Sequence, residues 1–474
     1  MNSQLKLRWL CAVVFAGATL FSCSNPACAQ TQPSAQSLDG LWLADGYGML
    51  IEIQGDTLSP YEITTVSCIA SAKATRTTEA SPQEIVFVGD DGTLRIFPGT
   101  SQDTRWLHED GSVSNILLRR TNSQPKPCGH PLADTPLTNY RVFWQTFSEN
   151  YPFFPLHQMN WQAVDKKFRP RVTPQTTPEE LFRTLSEMID PLHDAHTFIN
   201  ARSIQKGFHG FRTADTIGKE DAPRIKEIIE TKYVRGGLQD FCNGQLQFGL
   251  LNSPKAEHNG LVIGYLRIHS FNRYSKDREF VKQLDALENA LDAIFKDSSR
   301  LTGLVIDVRI NGGGSDVFGI SIASRLSTQE YLAYEKVTRN EIRDPDHRTS
   351  PQPVMVHMSQ RPGFRGPVVL LTSAHSVSAA ETFTMALLDR QPQVVRVGAN
   401  TQGVFSDVLD RKLPNGWTFG LPNEIYLTRD GRAFDGNGVP PDIAVPIFPK
   451  EDLSNGRDSV LDKALELLTV SRAH

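Results

Sequence analysis

Residues 368–381 read Val-Val-Leu-Leu-Thr-Ser-Ala-His-Ser-Val-Ser-Ala-Ala-Glu. They contain the transition from one secondary-structure element to the next. The apolar run Val368–Leu371 predicts a buried strand, and the residues from Ala379 to about Asp389 predict a helix. Ser378 stands at the helix N-terminus, where free N–H groups and the helix dipole favour a developing negative charge. The position also suits an ordinary N-cap serine.

A second strand-to-helix turn lies upstream and is rich in glycine. Leu304–Ile310 predicts a buried strand, which Asn311-Gly312-Gly313-Gly314 follows. Glycines let the backbone approach a ligand closely and adopt positive φ, so an N–H in this turn is a candidate donor to an oxyanion. A plain turn would explain the glycines equally well. A phosphate-binding loop is disfavoured, because no Lys-Ser or Lys-Thr pair follows.

A serine nucleophile needs a base, and His196 is the candidate. Thr177-Pro178-Glu179-Glu180 has the N-cap, first-position proline and glutamate of a helix start. That helix should end near Asp190-Pro191 and lead into the loop His193–Thr197. Taken alone, His196 could equally be an ordinary histidine. His193 and His196 lack a third ligand and a His-Glu-x-x-His motif, so neither a metal nor another cofactor is expected.

The pattern of turn signals and hydrophobic periodicity predicts a small all-β domain followed by an α/β fold. Turn signals and short strand-like runs fill residues 38–122, and a linker rich in Pro, Ser and Asn covers 123–136. Helical periodicity occupies 137–200. Strands and helices then alternate in a core over 201–450, and 451–474 is interpreted as one C-terminal helix.

The first 29 residues indicate export. Lys6 and Arg8 precede a short apolar stretch, and a small-x-small site ends at Ala29. Cleavage there would send the protein to the periplasm or outside the cell, while a loose lipobox ending at Cys23 offers lipoprotein anchoring as the minor alternative. After cleavage three cysteines remain, which permits a Cys68–Cys128 disulfide and one spare thiol at Cys242.

Composition excludes several other classes of protein. The 474 residues are 39% hydrophobic and 22% charged, which is typical of a globular chain of two or three domains. The net charge is −4 and no Lys/Arg run occurs, so nucleic acid is not an expected partner. No apolar run outside the leader approaches 18 residues, so no transmembrane span is expected in the mature chain. The oligomeric state stays open.

From about Tyr140 to Pro446 the chain resembles the tail-specific (C-terminal-processing) proteases, and more closely their tricorn-core branch. The quoted turns match in the family order: Asp194-Ala195-His196-Thr197 resembles its D-x-H-T loop, Asp307–Gly314 its glycine-asparagine signature, and Ser378–Glu381 its nucleophile motif. Looser matches follow at 398–403 and 435–442. The resemblance implies a crotonase/ClpP-like ββα peptidase core without a PDZ domain, because only about 60 residues separate Thr197 from the next clear strand.

The resemblance also implies a mechanism. The tail-specific branch places a catalytic lysine where this chain has Val404, so no serine-lysine dyad can be built there. The tricorn branch uses histidine and a carboxylate, here His196 and Asp435, although the family usually has Glu at the latter position. Ser378 would attack a carbonyl, His196 would move its proton, and Asp435 would orient the imidazole.

Two backbone N–H groups, of Gly314 and Ala379, would hold the oxyanion of that reaction. Ser315, which follows the glycine run, is a reserve nucleophile. The expected function is hydrolysis of peptide bonds in peptides or unfolded proteins by an exported serine peptidase. The alternatives are a non-proteolytic esterase or amidase, and a catalytically silent ligand-binding protein on the same scaffold.

Overall fold

The computed structural model describes residues 38–77, 81, 83–211, 217–218, 220–341, 344 and 346–470. The predicted signal peptide, with its alternative site at Cys23, lies outside these residues. Within the described residues, no helix is both long and apolar enough to span a bilayer.

Residues 40–121 form one antiparallel sheet that closes into a barrel. Its order is β2-β1-β9-β8-β7-β6-β5-β3-β4, and an extra pairing joins β2 to β3. Alternate side chains point inward, so Trp42, Ile51 and Phe87 form a hydrophobic core. The nine strands are β1 (Gly40–Ala44), β2 (Met49–Gln54), β3 (Thr57–Ile63), β4 (Cys68–Ala70), β5 (Ala74–Arg76), β6 (Ile85–Gly89), β7 (Gly92–Pro98), β8 (Thr104–Glu109) and β9 (Ile116–Thr121).

The β domain is bound to the linker and to the core. A disulfide joins Cys68 to Cys128 and thereby ties β4 to the linker, as the sequence permitted. Tyr47, in the turn before β2, donates its hydroxyl proton to Glu424 of the core at 2.6 Å. Lys412 donates its N–H to Glu62 at 2.8 Å. The domain is therefore anchored at several points rather than joined by a linker alone.

Three helices and two strands follow the linker. They are α1 (Pro136–Asn150), α2 (Trp161–Phe168), α3 (Pro178–Ile189), β10 (Phe198–Ala201) and β11 (Lys206–His209). The predicted start of α3 is confirmed, because Thr177 and Glu180 exchange both hydrogen bonds of a capping box. The apolar faces of the helices pack with Trp417 and Phe419 into one core. This packing fixes the loop at 193–197, which joins α3 to β10.

The rest of the chain is the α/β core, which confirms the predicted fold class. Its strands are β12 (Val234–Phe241), β13 (Leu246–Leu251), β14 (Ile263–Ile268), β15 (Gly303–Asp307), β16 (Tyr331–Thr338), β17 (Gln352–Val356), β18 (Val368–Thr372), β19 (Val395–Gly398), β20 (Val408–Lys412), β21 (Thr418–Pro422), β22 (Glu424–Leu427) and β23 (Ile443–Ala444). Its helices are α4 (Ala222–Ile228), α5 (Pro254–His258), α6 (Phe280–Phe295), α7 (Asp316–Leu326), α8 (Ala379–Ala386), α9 (Lys450–Ser454) and α10 (Ser459–Val470).

Three sheets organise this core. The central one has the order β12-β13-β14-β15-β18-β19-β23, and β14 to β23 run parallel. A four-stranded sheet, β11-β10-β21-β20, carries the helical segment, and β17-β16-β22 forms the third. Parallel strands present their carboxyl ends at one edge of a sheet, which is where binding sites form in α/β folds. Both the glycine run and Ser378 lie at that edge, after β15 and β18.

Two sequence predictions need correction. The strand predicted over 304–310 ends at Asp307, because the Asp307 carboxylate accepts the Arg309 N–H at 3.0 Å and turns the chain. The single helix predicted over 451–474 is two helices, α9 and α10, within the described residues. Gly456 adopts a φ of +60° between them, and Asp458 accepts the N–H groups of the first turn of α10.

Candidate active site

Ser378 is held in an unusual backbone conformation at the start of α8. Its φ is 57° and its ψ is −121°, a region that residues other than glycine rarely adopt and that costs about 1–3 kcal/mol. The fully buried β18 ends six residues earlier, so the chain makes a sharp turn at Ser378. The side chain is half-buried. A strained serine at a strand-to-helix turn is a common arrangement for a nucleophile.

The serine turn and the glycine turn are bonded to each other. Asn311 donates its N–H to the carbonyl of His375 at 3.1 Å and accepts the N–H of Val377 at 2.9 Å. Ser376 adds a hydrogen bond from its hydroxyl to the Val308 carbonyl at 2.7 Å. The Asn311 side chain binds the Ile268 carbonyl at 2.9 Å. The two turns therefore form one rigid unit.

Glycine is needed where this unit closes around Ser378. A β-carbon on Gly313, whose φ is +93°, would lie 2.7 Å from the Ser378 β-carbon and 3.1 Å from the Ala379 nitrogen. A β-carbon on Gly314 would lie 2.1 Å from the Phe271 carbonyl oxygen. Within the described residues, neither the Gly314 nor the Ala379 N–H donates a hydrogen bond. Each of the two residues in contact, Gly313 and Ser378, is thus followed directly by a backbone N–H that has no partner in the described chain.

Glu381 joins the nucleophile turn to a third segment, residues 401–407. Its carboxylate, which has no exposed surface, accepts the N–H groups of Ser378 at 3.1 Å, Gly403 at 2.6 Å and Val404 at 2.8 Å. The Val404 carbonyl in turn accepts the Ser378 N–H at 3.1 Å. Burial raises the pKa of Glu381 to about 7, although these hydrogen bonds act in the opposite direction.

His196 lies in the predicted loop and is buried, with 8% of its surface exposed. Asp194 fixes the loop by accepting the His196 N–H at 2.9 Å on one oxygen and the Tyr151 hydroxyl at 3.0 Å on the other. The imidazole Nδ1 is buried and has no hydrogen-bond partner in the described chain. Burial lowers the pKa of His196, and the negative charges of Asp194 and Asp407 oppose that effect. The imidazole is therefore neutral near pH 7 and can accept a proton.

Asp435, the predicted acid, does not hydrogen-bond to His196. It is 8% exposed, and its Oδ2 has no partner among the described residues. Its neighbours are the Phe405 N–H and the carboxylates of Glu381 and Asp194. Burial first, and then those two carboxylates, raise the pKa of Asp435 well above its usual range. The pairing of Asp435 with His196 stays a prediction.

An ion cluster around the buried Lys336 follows the same segment. Lys336, which is 2% exposed, places its Nζ 2.7 Å from Asp407 and 3.0 Å from Glu424. The Asp407 and Glu424 charges raise the pKa of Lys336 well above its usual range, against the effect of burial. The ammonium of Lys336 is therefore held between two carboxylates.

A cleft opens beside the carboxylates of Asp194 and Asp435. Its walls include Phe153, Leu156, Asp194, Val404 and Asp435. The cleft therefore joins the histidine loop to the segment that binds Ser378.

Sequence reasoning missed the roles of Glu381 and Asp407. The one local signal at Glu381 is its position three residues after a serine, which is the capping-box spacing. Asp407 carries no local signal, because its partners Lys336 and Glu424 come from other strands. At the end of β15, Asp307 and Arg309 form an ion pair at 2.7 Å.

Comparison with known proteins identifies the family. The family model for Peptidase family S41 matches residues 262–445, and that for the Tricorn protease C1 domain matches residues 133–190. The first match contains both turns of the site, including Ser378. The second contains α1, α2 and α3, which precede the histidine loop.

Individual relatives agree with these matches. Tricorn protease of Thermoplasma acidophilum is 25% identical over 38% of this chain, and a tricorn-like protease C-terminal subunit of Sulfurisphaera tokodaii is 29% identical over 35%. The matched regions span only 15% and 17% of those two proteins.

A solved structure, described as a peptidase from Parabacteroides merdae, aligns with a TM-score of 0.59 and 26% identity. The alignment covers 71% of this chain and 97% of that one. These matches therefore assign residues 262–445 of this chain to Peptidase family S41, and residues 133–190 match the Tricorn protease C1 domain.

Proposed function

We propose that the chain is an exported serine peptidase that hydrolyses peptide bonds in peptides or unfolded proteins, with Ser378 as nucleophile and His196 as base. One observation carries the proposal. The Ser378 β-carbon lies beside Gly313, and the next residue of each turn, Gly314 or Ala379, has an N–H group without a partner among the described residues. A carbonyl attacked by Ser378 would leave its oxygen within reach of both donors.

The chemistry would follow the order of a serine protease. Ser378 Oγ attacks the carbonyl carbon while its proton passes to His196. The Gly314 and Ala379 N–H groups hold the oxyanion, and the loss of one such donor typically raises a barrier by about 3 kcal/mol. His196 then protonates the leaving amine, and water attacks the acyl-enzyme by the same route in reverse.

His196 needs a nearby carboxylate once it is protonated. Asp435 would fill that role if its carboxylate turned toward the imidazole; in the structure it accepts the Phe405 N–H and forms no hydrogen bond with His196. The proposed roles of Ser378 and His196 do not depend on which carboxylate stabilises the protonated imidazole.

Labelling with a fluorophosphonate probe tests the proposal directly. We expect the mature protein to be labelled, and Ser378→Ala and His196→Ala to abolish labelling. Ser315→Ala is the matched control, because Ser315 is the reserve nucleophile and donates its hydroxyl proton to the Gly111 carbonyl at 3.1 Å. It should label normally. Folded wild-type protein that is not labelled would contradict the proposal and favour a ligand-binding role.

Two further measurements test the proposed substrate class and the proposed export. Hydrolysis of an unfolded protein substrate, compared with a p-nitrophenyl ester, separates a peptidase from an esterase, since an esterase would cleave only the ester. Export predicts a mature N-terminus at Gln30, which mass spectrometry of the protein from the periplasm would show. A mature chain that begins with a lipid-modified Cys23 would instead indicate membrane anchoring.

A further inference from the structure

The two proposed oxyanion donors stand at the starts of two helices. The Gly314 N–H comes two residues before Asp316, the first residue of α7, and the Ala379 N–H belongs to the first residue of α8. Both donors can hold one oxygen only if the two helix starts keep a fixed distance, because a hydrogen bond weakens outside a narrow range of length and angle. The contacts between the helix starts therefore decide how well the donors converge.

The backbone contacts between the two turns lie on the side before the donors. Asn311 forms backbone hydrogen bonds with His375 and Val377. Each of these three residues precedes the donor of its own segment. A contact after the donors is needed as well if the helices that begin there are to keep their spacing.

Asp316 and Thr382 form that second contact. The Thr382 hydroxyl donates to Asp316 Oδ1 at 2.7 Å, whereas its other acceptor, the Ala379 carbonyl, lies 3.2 Å away. Asp316 comes two residues after Gly314, and Thr382 comes three residues after Ala379, so the bond joins the two helix starts just after the donors. Asp316 is 6% exposed and Thr382 is 1% exposed. A hydrogen bond to a carboxylate is strong in such buried surroundings.

Other groups keep the Asp316 carboxylate in this position. Its Oδ2 accepts the hydroxyl protons of Tyr426 at 3.0 Å and Tyr334 at 3.3 Å. One oxygen thus serves the threonine, and the other serves two tyrosines from β22 and β16. The helices also approach each other closely further along, since a β-carbon on Gly319 would lie 3.2 Å from the Phe383 β-carbon. The bond between Asp316 and Thr382 is therefore part of a tightly packed helix pair.

We propose that Asp316 is a positioning residue, which sets the distance between the Gly314 and Ala379 N–H groups through its hydrogen bond with Thr382. The inference rests on the proposed function, in which those two N–H groups hold the oxyanion. It goes beyond that function by assigning the contact that fixes their spacing. Asp316 and Thr382 act through the backbone of the two turns and do not touch the reacting atoms.

The rate of fluorophosphonate labelling in Thr382→Val tests the proposal. The variant removes the hydroxyl and keeps the shape of the side chain, and we expect the rate at saturating probe to fall about tenfold or more, because displaced donors stabilise the oxyanion less. The probe concentration that gives half of this rate should change little, since the oxyanion forms only in the reaction. Burial raises the pKa of Asp316 to about 7, so the rates are compared at about pH 8, where the carboxylate is ionised.

Two variants serve as controls for Thr382→Val. Thr382→Ser keeps the hydroxyl and should be labelled at close to the wild-type rate. Tyr426→Phe removes a hydroxyl from the same carboxylate but leaves the Tyr334 hydroxyl on that oxygen, so it should also be labelled at close to the wild-type rate. Equal losses in Thr382→Val and Tyr426→Phe, or no loss in Thr382→Val, would overturn the proposal.

Amide hydrogen exchange, measured by mass spectrometry, gives a second readout that needs no activity. Thr382→Val should speed exchange both in the peptide that contains Gly314 and in the peptide that contains Ala379, whereas Tyr426→Phe should not. Faster exchange in the Ala379 peptide alone would contradict the proposal, because loss of the bond within α8 would explain it. If the wild-type protein is not labelled at all, the proposed function fails, while the exchange data still decide whether the Asp316–Thr382 bond joins the two turns.

A folding failure of Thr382→Val would not end the test. Thr382→Ala removes the hydroxyl without placing a methyl group against the Asp316 carboxylate. It should show the same slower labelling and the same faster exchange in both peptides. Wild-type labelling and exchange in this variant would contradict the proposal.

Discussion

The carboxylate of Glu381 accepts the backbone N–H of Ser378 at 3.1 Å, so the residue one helical turn after the nucleophile binds the nucleophile's own backbone. The same carboxylate holds Gly403 and Val404. One buried side chain therefore sets the position of Ser378 relative to the segment that continues to Asp407. This link makes the strained conformation of Ser378 part of a larger bonded unit rather than a local turn.

We expect Glu381 to make the fold less stable as pH rises. Burial raises its pKa to about 7, against 4.5 for an ordinary glutamate, so the folded protein binds a proton that the unfolded chain releases. The stability from this group is complete below pH 4.5 and is lost as pH rises through 7. Two and a half pH units correspond to about 3 kcal/mol.

Glu381→Gln cannot titrate, and urea denaturation between pH 4.5 and 8 would compare it with wild type. The variant should be less stable at low pH, because an amide nitrogen cannot accept the N–H groups that an oxygen accepts. However, between pH 4.5 and 8 its free energy of unfolding should fall by about 3 kcal/mol less than that of wild type. If the free energy of unfolding changed equally with pH in the two proteins, the raised pKa of Glu381 would be contradicted.

Glycine at position 313 should be essential for stability and for labelling, whereas glycine at the neighbouring position 312 should not. Gly313→Ala would place a β-carbon 2.7 Å from that of Ser378 in a backbone with a φ of +93°. We expect it to lose about 2 kcal/mol or more of stability and most of the fluorophosphonate labelling. Gly312→Ala meets nothing within 4 Å, so its stability should stay within about 0.5 kcal/mol of wild type. Equal labelling of the two variants would exclude a tight contact at Gly313.

The disulfide should stabilise the junction of the β domain with the linker. Cys68 and Cys128 are 60 residues apart, and closing a loop of that length restricts the unfolded chain by about 4 kcal/mol in the chain-entropy view. We expect Cys68→Ser/Cys128→Ser to unfold at clearly lower denaturant concentration than wild type. Cys242→Ser is the control, since Cys242 is a free thiol. A reducing agent should lower the denaturant concentration at which wild type unfolds, and it should leave that of the double variant unchanged.

Much of this structure could be predicted from local patterns. The capping box at Thr177, the strand before Ser378 and the helix after it all depend on neighbours in sequence, so residue spacing alone indicates them. The break between α9 and α10 was missed, because it depends on Gly456 and on Asp458, which binds the distant Arg309. A helical pattern does not show such a contact.

The acid predicted for the site shows the same limit. The family pattern selects Asp435 by its place in a motif, and its pairing with His196 stays a prediction, because the Asp435 Oδ2 and the His196 Nδ1 have no hydrogen-bond partner among the described residues. The ion cluster of Lys336 with Asp407 and Glu424 joins three separate segments of the chain. Contacts of this kind depend on tertiary structure, so local residue spacing does not indicate them.

Asp458 should be the most costly carboxylate to remove outside the site. Arg309 has no exposed surface and binds Asp307 at 2.7 Å and Asp458 at 2.9 Å. Asp458→Ala would leave the guanidinium with one partner and would remove the N-terminal acceptor of α10. Breaking a buried pair in this way typically costs about 3–5 kcal/mol, which chemical denaturation would measure.

The control for Asp458→Ala lies on the same helix. Glu466, which pairs with Lys463 on the surface and is 60% exposed, should change stability by less than about 1 kcal/mol when replaced by alanine. Because Asp307 and Arg309 precede the glycine turn, Asp458→Ala should also slow fluorophosphonate labelling in protein that remains folded. Normal labelling in such protein would show that the Arg309 cluster stabilises the fold without positioning the glycine turn.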